Sequence, residues 1–151
     1  GWSDQLVYGT KIPGSRSFLE SHGIPRKVQS YTHEVRPNDL DMMEKMLKLL
    51  RLCGGTAAVI IEPFGPESGT RPVSADYCQG VRDLCDKYGA LMIMDEVVTG
   101  FRCGLGGAQG YFGVTPDLTI FGKIVAGGYP AAGGVCLLML ATEARRHASI
   151  S

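Results

Sequence analysis

The sequence has no excess of charge: fifteen Lys and Arg balance fifteen Asp and Glu. A basic surface for nucleic acid is therefore not indicated. It also lacks any apolar run long enough to span a bilayer; the longest candidate, Val135–Ala141, is strand-sized. The first residues, GWSDQLVYGTK, have neither a basic region nor an apolar stretch and do not read as a signal peptide. No methionine begins the chain, which suggests a fragment or a processed protein. Five cysteines occur, an odd number, at 53, 78, 85, 103 and 136, with no CxxC pair. They are expected to be reduced thiols of a cytoplasmic protein, small core residues for the most part.

Two nucleotide motifs are also missing. A phosphate-binding loop needs G-x-x-x-x-G-K-[ST]. Lys123 follows Gly122, but Asp117 stands where the first glycine belongs and Ile124 where the hydroxyl belongs. The glycines of CGLGGAQG lie in a long loop rather than opening a helix after a strand, so a dinucleotide site fits poorly. His22, His33 and His147 have no metal-ligand spacing.

What is present is a chain of 151 residues, 44% apolar and 20% charged, the balance of an ordinary globular domain. Residues 1–37 are rich in Gly, Pro and Ser and read as irregular, with one helical turn at most. NDLDMMEKMLKLLR reads as a helix, with Leu40, Met43, Leu47 and Leu50 on one face and Asn38 or Asp39 as its cap. AAVIIEP is a short buried strand. After the loop FGPESGTRP, Ser74 caps a second helix with the stripe Tyr77, Val81, Leu84, Cys85 and Tyr88, and Gly89 stops it. ALMIMDEV is a second strand, GFRCGLGGAQGYFGVTPD a glycine-rich loop, LTIFGK a third strand and GGVCLLML a fourth. Uniformly apolar strands alternating with an amphipathic helix indicate an α/β fold. Its sheet is expected to be mainly parallel and covered on both faces.

In such sheets ligands bind beyond the carboxyl ends of the strands. Three places qualify: Glu62, Asp95-Glu96 and Lys123. A lysine and an acid at adjacent strand ends suit pyridoxal phosphate (PLP). That cofactor takes a lysine as covalent anchor and an acid at its pyridinium nitrogen. Val97, two residues after Asp95, is placed to pack on a ring whose nitrogen Asp95 holds, provided the strand continues. The uncharged surroundings of Lys123 are those that favour a neutral, nucleophilic amine.

LMIMDEVVTGFR followed by GYFGVTPDLTIFGKIVAGGYPAAGG resembles class III (subgroup II) aminotransferases, and within them the glutamate-1-semialdehyde aminomutase-like members. The likeness extends to the initial GW and to EPFGPESG. It implies PLP-dependent transferase fold type I. Residues 1–151 would be a central part of the large PLP-binding domain, without its N-terminal segment and the small C-terminal domain. These 151 residues alone would be inactive. Lys123 would be the catalytic residue and covalent anchor, Asp95 would pair with the pyridine nitrogen, and Val97 would pack on the ring. Glu62 would order the site from behind. Glu67 matches a substrate-gating glutamate of ornithine- and GABA-type members, which weighs against a strict aminomutase. Glu96 is expected to hold the loop by local hydrogen bonds, and Arg102 to be structural. The implied activity is transfer of an amino group between an amine or amino acid and a carbonyl compound, in a cytoplasmic homodimer. The alternatives are the intramolecular transfer of an aminomutase, and a non-catalytic remnant of the fold.

Overall fold

The structure is a computed structural model, and it describes residues 23–65, 72–129 and 131–136. A short helix α1 (Arg26–Gln29) leads into α2 (Leu40–Arg51). The Asp39 carboxyl accepts from Met42 N at 2.8 Å and caps α2. Asn38 stands in left-handed backbone (φ 61°), a conformation that asparagine tolerates better than most residues. Its amide donates to Pro72 O and accepts from Ser74 N, both at 2.9 Å, so the entrance of α2 is tied to that of the next helix. That helix, α3 (Ala75–Tyr88), is capped by Ser74 and closed by left-handed Gly89, as its sequence predicts.

Four strands form one sheet in the order β1 (Ala58–Ile61), β2 (Leu91–Glu96), β3 (Leu118–Phe121), β4 (Gly133–Cys136). The first three are parallel and β4 is antiparallel to β3. Side chains alternate between the two faces of each strand. Val59, Ile61, Met92 and Met94 point to one face. There they meet Tyr77, Cys78, Val81 and Cys85 of α3, and Met43 and Leu47 of α2, in a single core. Helices cover only this face among the described residues, whereas cover on both was expected; on the opposite face Ile60 is 49% exposed.

The cysteines divide. Cys78 and Cys85 are buried, and loss of water pushes their thiols up to about 11 and about 12. Cys53 and Cys103 are exposed, so the expectation of core cysteines holds for only part of the set. The long glycine-rich loop also needs correcting. It contains a helix, α4 (Gly107–Phe112), whose three aromatic contacts involve Phe64, Tyr111 and Phe112 with ring centroids 5.1–5.7 Å apart.

One ion pair fixes the amino end of the sheet. Arg82, on the buried side of α3, donates to Asp117 Oδ2 at 2.7 Å. The same oxygen accepts from Met92 N at 2.7 Å, and Asp117 N donates to Met92 O at 2.9 Å. Helix α3, the start of β2 and the residue before β3 are thus joined at one point. Arg82→Met should cost about 3 kcal/mol, read from the denaturant midpoint, because it removes the charge partner of a largely buried carboxylate. The exposed Glu44–Lys87 pair should behave differently. The Lys87 ammonium and the Tyr88 hydroxyl hold Glu44 down to about 2, from an ordinary 4.5. Its stabilisation is present above pH 4.5 and lost as the pH falls towards 2. The small gap in melting temperature between the native protein and Lys87→Met should therefore close on acidification.

Candidate active site

The carboxyl ends of β2 and β3 lie side by side, with Asp95 opposite Ile120 and Glu96 opposite Phe121. Alternation sends two successive carboxyls to opposite faces. Glu96 joins Met92 and Met94 on the helix-covered face and is completely buried; Asp95 is half-buried on the other. Strand β2 ends at Glu96, one residue earlier than its apolar sequence suggests, and Val97 begins a turn. Val97 nevertheless stays with Asp95: its amide donates to Asp95 Oδ1 at 3.0 Å.

Gly122 shows why a small residue precedes the lysine. A Cβ there would stand 3.1 Å from Val97 Cγ1, closer than side chains pack without displacement. The valine side chain therefore lies against the backbone that leads into Lys123. Lys123 is exposed and does not end the strand; it opens a 3₁₀ turn, Lys123–Ala126. Its φ of 49° is left-handed, which costs a residue with a Cβ about 1–2 kcal/mol. Strain of this kind gathers where the surrounding structure fixes a side chain's direction. Lys123 lies three residues beyond Ile120, the register partner of Asp95; at about 3.3 Å per residue and about 4.8 Å between strands the two Cα atoms are at most ~15 Å apart.

The structure thus brings Asp95, Val97 and Lys123 together at one corner of the sheet. Glu62 is half-buried and follows β1, next to β2 in the sheet; Gly65 N closes a turn onto its carbonyl at 2.8 Å. Glu67 lies outside the described residues, as do His22 and His147. Arg102 donates to Val98 O at 2.7 Å and braces its own loop, as expected. Among the described residues no cluster of His, Cys, Asp and Glu could hold a metal.

Sequence reasoning left two features of the site undescribed: the depth at which Glu96 is buried and the left-handed backbone of Lys123. The first had a signal, since Glu96 continues the Met92, Met94 alternation. The second had none.

Asp95 stands at the end of β2 and Lys123 just beyond the neighbouring β3. Val97 is hydrogen-bonded to the first and packed on the residue before the second. These residue types suit a flat ring anchored by an amine and held at its nitrogen by an acid. The mainly parallel α/β sheet is that of the PLP-dependent transferases of fold type I, to which the solved structures similar to this chain belong. The chain belongs to the class-III aminotransferase family, whose model matches residues 15–145.

Over 116 residues the chain is 47% identical to a glutamate-1-semialdehyde 2,1-aminomutase of Desulforamulus reducens, a match covering 76% of this chain and 26% of that one. A solved glutamate-1-semialdehyde-aminomutase of Pseudomonas aeruginosa PAO1 in complex with PMP superposes with a TM-score of 0.72 at 29% identity, over 99% of this chain and 32% of that one. A transaminase with PLP bound gives a TM-score of 0.71 at 29% identity, over 90% and 31%. The chain thus spans about a quarter to a third of the length of these relatives. PLP is the cofactor that the family and these structures share in kind.

The strain at Lys123 is testable without cofactor. Lys123→Ala keeps the left-handed penalty and Lys123→Gly removes it. The apo glycine variant should melt above the apo alanine variant, by a difference of about 1 kcal/mol. Equal melting would show that Lys123 is not held in left-handed backbone.

Proposed function

We propose that this chain is the central part of the large domain of a PLP-dependent aminotransferase. The enzyme moves an amino group between an amine or amino acid and a carbonyl compound. The observation that carries the reading is the meeting of Asp95, Val97 and Lys123 at the carboxyl ends of β2 and β3, with Val97 resting on the residue before the lysine.

Bound PLP supplies an electron-accepting ring that stabilises negative charge at the substrate carbon. The protein's part is division of labour among side chains. Lys123 would hold the cofactor through Nζ, and its amine would serve as the proton carrier at the substrate carbon. Asp95 keeps a proton on the ring nitrogen; its orientation is fixed by the Val97 amide. Val97 would pack on the ring face and exclude water from it. Glu62 orders the site from the end of β1, and Glu67 gates the two half-substrates.

The reading includes a homodimer and a cytoplasmic location. The free thiols at 53, 78, 85 and 103 are consistent with that compartment. A second reading is intramolecular transfer, as in the aminomutases. It draws support from the name of a relative 47% identical to this chain. Conversion of an amino aldehyde without any added amino acceptor would favour it.

Borohydride reduction of the full-length protein in PLP, followed by peptide mapping, tests the assignment. The label should fall on Lys123 and vanish in Lys123→Ala. A label on another lysine, or none, would leave the non-catalytic remnant as the correct reading.

A further inference from the structure

We propose that Glu96 is a positioning residue for this site: its buried carboxyl clamps the start of α4 to the end of β2, and the clamp sets where Asp95 and Val97 stand relative to Lys123. The inference rests on the assignment of Asp95 and Lys123 proposed above.

A carboxyl with no exposed surface must have its oxygens satisfied by protein. For Glu96 the donors come from three places. Oε2 accepts from Ala108 N at 2.7 Å and from Thr99 Oγ1 at 3.5 Å. Oε1 accepts from Gln109 N at 3.2 Å and Gln109 Nε2 at 3.4 Å. Gln109 Nε2 lies also 3.3 Å from Thr119 Oγ1, on β3, four residues before Lys123. One side chain therefore links β2, the turn after it and α4, and reaches β3 through Gln109.

The backbone is shaped around this carboxyl. Gly107 is left-handed (φ 61°), and a Cβ on it would collide with both Glu96 carboxyl oxygens. Gly100 N donates to Glu96 O at 2.9 Å, and a Cβ there would stand 2.8 Å from the same carbonyl. Both glycines let the loop close down on Glu96.

The connection to the site is covalent and short. Glu96 lies between Asp95 and Val97 in the chain. The Val97 amide orients the Asp95 carboxyl, and the Val97 side chain rests on Gly122. If the turn after β2 swings away, that amide leaves Asp95 Oδ1 and the valine leaves its seat. The nitrogen-binding acid and the ring-packing residue would then lose their placement together.

Glutamine is the sharp substitution. Both Glu96 oxygens accept from N–H donors, so an amide NH2 in either orientation faces a donor. Gln109→Ala is the milder one, since it leaves the two backbone donors in place. The experiment uses the full-length holoenzyme, titrated with PLP itself. It reads the dissociation constant, the circular dichroism of the bound cofactor's visible band, and the melting temperature of the apo form. Glu96→Gln should weaken PLP binding by about tenfold or more, in the range seen when supporting residues of a bound group are altered, and diminish the visible dichroism. Gln109→Ala should shift both in the same direction, by several-fold in affinity, with little change in apo melting. A change confined to the melting temperature, with native affinity and dichroism, would overturn the proposal and leave Glu96 a structural residue. Should Glu96→Gln not fold, Gln109→Ala decides alone on the same terms. Failure of the native protein to bind PLP would instead overturn the assignment of the site, and this inference with it.

Discussion

Two carboxyls in succession, Asp95 and Glu96, leave β2 on opposite faces, and the arrangement of the site depends on that separation. The period of two in an extended strand guarantees it. Glu96 goes into the protein, where it must be satisfied by donors brought from elsewhere in the chain, and the donors it gathers are the amides that open α4. Asp95 goes to the opposite face, which no helix covers among the described residues, and is only half-buried there. Burying one acid is thus what holds the backbone beneath the other. A single-residue slip of β2 would exchange their fates, burying Asp95 and freeing the loop.

The sheet is anchored at both ends by different chemistry. At the amino end, Arg82 and Asp117 join α3 to β2 and to the entry of β3 through one shared oxygen. At the carboxyl end, Glu96, Gln109 and Thr119 join β2, α4 and β3. Between them lie the paired strands and the apolar core that Met92 and Met94 share with Val81 and Cys85. Rigid elements fixed at both ends are a sound base for a site that needs its parts placed within fractions of an ångström. The strained backbone at Lys123 fits the same scheme, since a left-handed lysine persists only where its neighbours determine it.

Much of this was legible in the sequence. Period and capping residues defined α2, α3 and the strands, because Asp39, Ser74 and Gly89 act locally, within a few residues of what they cap. The positions of Glu62, Asp95 and Glu96 at or just past strand ends were legible because a strand's apolar run and the acid that closes it are adjacent in sequence. Helix α4 was not. It is six residues long and holds two glycines, GAQGYF, so neither period nor propensity marks it; distant acceptors on Glu96 and the ring of Phe64 hold it in place. Arg82 was hidden for a related reason. It sits on the apolar face of α3 only because Asp117, 35 residues away, comes to meet it.

In the proposed function Asp95 faces a ring nitrogen while Lys123 holds the same ring. The most direct measurement is the 15N chemical shift of labelled PLP bound to the full-length protein, in native form and in Asp95→Ala. The account predicts a protonated pyridine nitrogen in the native enzyme at neutral pH and an unprotonated one in the variant. The same protonation state in both would contradict it, because the acid at the end of β2 would then have no hold on the cofactor.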